Sequence, residues 1–181
     1  MVIWNIALLV LRLVIGSLFI GHGLQKISTR FGGHGWSGTI GMMEQLGLRP
    51  ARFWAMVSAA SELGGGVLFV LGLLTPIAAA VLAGSMLMAI ALVHGPRGLW
   101  NSRGGYEYNL VLLTVSVFLG LAGAGAYALD AGWFVAHHEV AIFLVALIIA
   151  VAGVVVGLSM RLMGLSQVSR AGNMPGKHAV A

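Results

Sequence analysis

Residues Leu8 to Lys26 read LLVLRLVIGSLFIGHGLQK, an apolar run of bilayer-crossing length. Arg12 lies inside it, His22 near its end, and Lys26 one helical turn further on. A charge within lipid costs at least a few kcal/mol on the mildest scale. A helix that keeps one turns it towards a protein group or a wet cavity. Whatever this chain folds into must therefore supply partners for Arg12, His22 and Lys26.

The remaining residues extend the same pattern. The chain has 181 residues, 59% hydrophobic and 8% charged, with mean hydropathy +0.98. A soluble domain carries roughly 25% charged residues, so this is an integral membrane protein. Five spans are expected, at about 3–24, 53–74, 76–94, 110–129 and 140–160. They form one all-α transmembrane domain over 1–163, with a flexible cytoplasmic tail over 164–181. The first span has no basic stretch before it and is read as retained, not cleaved. Thr75-Pro76 makes a tight turn, with Pro76 opening a helix where its missing N–H is harmless. In the first connection, Thr39–Leu46 reads as a short interfacial helix, apolar at Ile40, Met43 and Leu46.

Charge sets the expected orientation. The net charge of +5 comes from basic residues that flank apolar spans, so the chain's partner is a bilayer and not nucleic acid. Lys26, Arg30, Arg49 and Arg52 belong to the first connection, Arg97 and Arg103 to the third, and Arg161, Arg170 and Lys177 to the tail. Five spans put all three regions on one face, with the N-terminus outside and the C-terminus cytoplasmic, as in a bacterial inner-membrane protein. Trp4, Tyr127 and Trp133 then mark the outer boundary, and Trp54 and Trp100 the inner one.

Two polar groupings follow from depth. Arg12 lies roughly 20 Å, and Glu62 roughly 15 Å, from the inner ends of their helices. They are expected to pair within the membrane, whether for packing or for function. A second cluster lies nearer the cytoplasm. His22, Lys26, His94, Tyr106, Glu107 and Asn109, with Tyr108 among them, are expected to line a pocket with apolar walls. Donors there suit the carbonyl oxygens of a quinone or similar lipophile, and a His or Glu can move protons. Taken singly, each residue is explained by snorkelling or helix capping. The case rests on their joint placement.

Metal chemistry has little support. Zero cysteines exclude thiolate, iron–sulfur and cysteine–zinc sites, and His22, His94 and Glu107 lack ligand spacing. His137-His138-Glu139 at the outer face has the side chains to bind a metal, but reads better as solvated loop residues before a helix start. No haem, flavin or nucleotide motif is present. FIGHGLQK and ALVHGPRG end two spans alike, a faint repeat. Among small-residue pairs, Ser61/Gly65 and Ala80/Gly84 suit internal packing, and Gly153/Gly157 suits a partner subunit.

LRLVIGSLFIGHGLQKI (Leu11–Ile27), the basic glycine-rich connection, SELGGGVLFVLGLLTP (Ser61–Pro76) and the span ending near His94 resemble the DoxX family of small bacterial membrane proteins. The resemblance covers roughly Leu8 to Ala128. It implies a four-helix membrane core and association with redox enzymes, since the family takes its name from a subunit of a thiosulfate:quinone oxidoreductase. The fifth span departs from that pattern and is a candidate docking helix for other subunits. The leading functional expectation is a quinone-linked redox subunit, with quinone as the electron carrier. The alternatives are a non-catalytic anchor or assembly subunit, or a carrier for a small solute or proton gated by Arg12 and Glu62.

Overall fold

The computed structural model describes residues 1–132 and 137–172. Helices are α1 (Val2–Ile27), α2 (Gly35–Gln45), α3 (Ala51–Leu71), α4 (Thr75–Ala89), α5 (Glu107–Ala122) and α6 (Glu139–Gly172). A π-helical turn, Ile90–His94, continues α4. The fold is an all-helical membrane bundle, and large apolar side chains from α1, α5 and α6 face outward all along it. Four segments have the length and composition to cross a bilayer: Val2–Ile27, Ala51–Leu71, Thr75–Arg97 and Glu139–Gly164.

The fourth expected span is shorter than its sequence suggested. Gly123, at φ +79°, ends α5 at Ala122, leaving a helix of 16 residues, about 24 Å long. Residues 123–129, the end of that expected span, belong instead to a folded loop over 123–130. α3 likewise stops at Leu71, where Gly72 takes the left-handed conformation (φ +63°) that glycine tolerates. α6 runs on to Gly172, past the expected start of the tail. Trp133 and residues 173–181 lie outside the described residues.

Four helices, α1, α3, α4 and α5, enclose the main core of Leu8, Phe19, Phe69, Leu82, Leu112 and Leu119. The tightest seam is α1 against α3. A Cβ on Gly16 would come within 2.7 Å of the Gly66 carbonyl oxygen, and one on Gly23 within 2.7 Å of the Leu63 backbone nitrogen. Glycine at these positions lets two backbones touch, a device suited to lipid, where no hydrophobic effect drives helices together.

These contacts also fix the stagger. With Gly23 opposite Leu63, α1 ends level with the middle of α3, about 12 Å short of the start of α3. α2 fills that step. The Thr39 hydroxyl lies 2.9 Å from both the Lys26 and Gly35 carbonyl oxygens, so it caps the end of α1. Met43, with the partly buried Ile40 and Leu46, packs with Leu48, Trp54 and Leu92 in a second apolar cluster.

α6 lies along the outside of α4 and α5. Ala150 sits over Gly84, Phe143 over Gly120, and Gly157 over Trp54 and Met88. The expectation that Gly157 faces a partner subunit is therefore corrected, because its missing side chain is filled by this chain's own Trp54. Gly153 has nothing within 4 Å of its Cβ position.

Candidate functional site

The expected Arg12–Glu62 ion pair does not form. The α1–α3 register carries Arg12 to the far end of α3, beside Gly72. That position is ten residues beyond Glu62, about 15 Å along the helix. Equal depth for Arg12 and Glu62 requires the two helices to end at one level, and the stagger of α1 against α3 prevents that.

Arg12 is fully buried. It donates from Nη1 to the Ala124 carbonyl (2.8 Å) and from Nη2 to the Tyr127 carbonyl (2.6 Å). The Asp130 carboxylate adds a favourable charge interaction. Asp130 in turn accepts from the Leu74 N–H at 2.7 Å, Glu139 from the Ala124 N–H, and Asn5 from the Ala126 N–H. These contacts pin loop 123–130 across one end of the bundle. Glu139, considered above as part of an outer His-His-Glu group, is engaged in this way.

The partner of Glu62 is Lys26. Its Nζ meets Glu62 Oε2, and the Ser85 hydroxyl donates to Glu62 Oε1 at 3.1 Å. Glu62 is 4% exposed, so the carboxylate depends on these two neighbours. Asn109, also buried, donates to the Met86 thioether at 3.6 Å and, among the described residues, makes no other side-chain hydrogen bond. The Tyr108 hydroxyl and His22 Nε2 share a 3.3 Å hydrogen bond, their rings tilted at 59° with centroids 5.7 Å apart.

Together these links make a polar layer that runs round the bundle. Lys26–Glu62 joins α1 to α3, Glu62–Ser85 joins α3 to α4, Met86–Asn109 joins α4 to α5, and Tyr108–His22 joins α5 back to α1. The layer is buried at Glu62 and Asn109 and opens at His22 and Tyr108, between α1 and α5.

The sequence-derived pocket set divides accordingly. His22, Lys26 and Asn109 belong to the layer. His94 and Glu107 serve the α4–α5 connection: His94 Nδ1 bonds the Gly104 carbonyl at 2.8 Å, and Glu107 accepts from the Asn101 N–H at 3.0 Å. Tyr106 closes the same connection through its N–H to the Gly98 carbonyl. Tyr108 also belongs to the layer, and Ser85 and Met86 join it without having been in the set. Ser85 was legible as a lone hydroxyl in the apolar run AVLAGSMLMA, but nothing in the sequence placed it opposite Glu62.

This architecture defines a multi-pass helical membrane protein with a polar layer inside a four-helix core. The DoxX family model matches residues 7–95, from the start of α1 through the π turn, and the chain belongs to the DoxX family. It is similar to a Bacillus subtilis protein described as "Putative oxidoreductase CatD", 36% identical over 127 residues, covering 70% of this chain and 87% of that one. It is also similar to the Mycobacterium tuberculosis "Uncharacterized membrane protein Rv3486", 30% identical over 132 residues, covering 66% of this chain and 77% of that one. No solved structure matches it.

Proposed function

We propose that this protein is the membrane subunit of a quinone-linked oxidoreductase system of the bacterial inner membrane. The polar layer holds the quinone head, and the basic end of the bundle faces the cytoplasm. The observation that carries the reading is the opening of the layer at His22 and Tyr108, between two helices whose outer faces are apolar. A lipophile with a polar head has its two requirements met there, donors within and hydrocarbon outside. Asn109 supports the fit, because a buried amide whose side chain bonds, among the described residues, to a thioether alone has hydrogen-bonding capacity to spare. Tyr108, Lys26 and Asn109 carry the N–H and O–H groups suited to quinone oxygens, and His22 can hold or pass a proton at Nε2. Bound quinone would supply two-electron, two-proton carrier chemistry. The sequence contains no flavin or haem motif, so electrons come from another subunit. The name of the Bacillus relative is in keeping with such a role.

The test is titration of a short-chain quinone analogue into the purified protein. His22→Ala and Tyr108→Phe should each weaken binding by on the order of tenfold, the worth of one hydrogen bond at a desolvated site. His94→Ala should leave affinity unchanged, because His94 ties down a loop. Equal affinity in wild type, His22→Ala and Tyr108→Phe would overturn the quinone site and leave the anchoring-subunit reading. Reporter fusions after Arg103 and near Asp130 test the orientation, with cytoplasmic and external readings expected in turn.

A further inference from the structure

The end of the bundle opposite Asp130 collects arginines that outnumber its acids. Arg30, Arg49, Arg52, Arg97 and Arg103 are exposed, and Arg161 is half-buried with its Nε enclosed and unbonded. Among the described residues, none of these six side chains makes an ion pair or hydrogen bond. The acids at this end are Glu44, which is exposed, and Glu107, whose Oε2 accepts from the Asn101 N–H. The second apolar cluster draws the first connection, the start of α3, the π turn and Leu158 of α6 into one place, so these charges share one end of the molecule. Like charges gathered this way repel one another, and an external anion relieves the repulsion.

Large apolar side chains stand among the arginines. Phe31, Trp36, Phe53 and Trp100 are 50%, 41%, 49% and 60% exposed. Arg49 borders an open concavity of about 620 Å³ that is also lined by Glu44, Pro50 and Ala51. Arg52 and Phe53 follow in the first turn of α3. The occupant must therefore present negative charge and hydrocarbon at the same level, where the apolar helices end.

We propose that this end binds anionic phospholipid headgroups, with the concavity beside Arg49 as the principal seat and Arg52, in the first turn of α3, as the next guanidinium along the chain. A phosphodiester there meets guanidinium groups, and its acyl chains run beside Phe53 and the apolar flanks of the bundle. A basic residue near a membrane surface attracts anionic lipid by an increment that multiplies over several residues. Arginine, with a planar fork matched to phosphate oxygens, is well suited to that contact. An acidic protein segment would satisfy the charges and leave the four aromatic side chains without apolar partners.

The experiment uses the full chain in a neutral maltoside detergent. Phosphatidylglycerol and phosphatidylcholine of the same acyl composition are titrated separately, with bound lipid read by native mass spectrometry and stability by thermal unfolding. Phosphatidylglycerol should bind and raise the melting temperature, phosphatidylcholine should do much less, and raised salt should narrow the gap. The Arg49→Gln/Arg52→Gln variant should bind phosphatidylglycerol on the order of tenfold more weakly. Its unfolding in phosphatidylcholine should match wild type, because both side chains are exposed and unpaired. Arg49→Lys/Arg52→Lys should recover part of the binding.

Equal binding of the two lipids would overturn the proposal. So would wild-type phosphatidylglycerol binding by the Gln variant, or full competition by inorganic phosphate. Retention of an acidic protein subunit that blocks phosphatidylglycerol would replace the lipid with a protein partner and also overturn it.

Discussion

The two ends of this bundle each place a cation of α1 inside the protein, and they neutralise it differently. Near Asp130, Arg12 is held by two backbone carbonyls, with a carboxylate close by. Towards the basic end, Lys26 is held by a single carboxylate, which also takes the Ser85 hydroxyl. Carbonyl partners belong to a loop pinned by Asp130, Glu139 and Asn5, and they cannot leave without unfolding it. Side-chain partners can exchange. A lysine on a flexible stem, a serine hydroxyl and a His–Tyr pair can all re-form their bonds around a guest. The first arrangement is a lock, and the second is suited to a binding site.

The largest expected effect lies at the lock. Arg12→Ala removes two charge-assisted hydrogen bonds, strands the Ala124 and Tyr127 carbonyls and leaves a cavity. It should cost about 3–5 kcal/mol in reversible unfolding. A loss below about 1 kcal/mol would show that loop 123–130 is held by its other pins, and the contrast between the two ends would fail.

Glu62→Gln comes next. It leaves Lys26 without its counter-charge, but Lys26 is 20% exposed and part of its charge can reach water. We expect about 2 kcal/mol, less than at Arg12. The double variant Glu62→Gln/Lys26→Met should regain most of that loss, since the unpaired charge is what destabilises. A double variant no better than Glu62→Gln would show that Glu62 acts through Ser85 or packing.

The smallest effect sharpens the role of charge at the lock. Asp130→Asn keeps an acceptor for the Leu74 N–H and loses only the negative charge near Arg12. It should cost about 1 kcal/mol, the difference between a charged and a neutral hydrogen bond. A cost as large as that of Arg12→Ala would make Asp130, not the carbonyls, the principal partner of Arg12.

Much of this molecule was legible in the sequence. Apolar run lengths marked the spans, and Thr75-Pro76 and His94 marked their ends, because a chain in lipid must satisfy its backbone within helices. The family-bearing residues Leu11–Ile27 and Ser61–Pro76 fall on α1, on α3 and on the turn into α4. It was also evident that Arg12, Glu62 and Lys26 needed partners, since an isolated charge in hydrocarbon is too costly to leave alone.

Which partner each charge met was decided by the tertiary structure. The contacts of Gly16 and Gly23 with the α3 backbone set a stagger of several residues, and every pairing followed from it. Hydropathy reports how long a helix is and is silent on how far it slides along its neighbour. Ser85 faces Glu62, and Tyr108 rather than Glu107 faces His22, for the same reason. A one-residue slip turns a helical side chain by roughly 100°, so the layer's membership depends on packing that no single helix encodes. The end of α5 at Gly123 was likewise tertiary in origin. An apolar stretch that could have continued as helix gives its carbonyls to Arg12 instead, because a buried guanidinium bonded to backbone is more stable than one left in lipid.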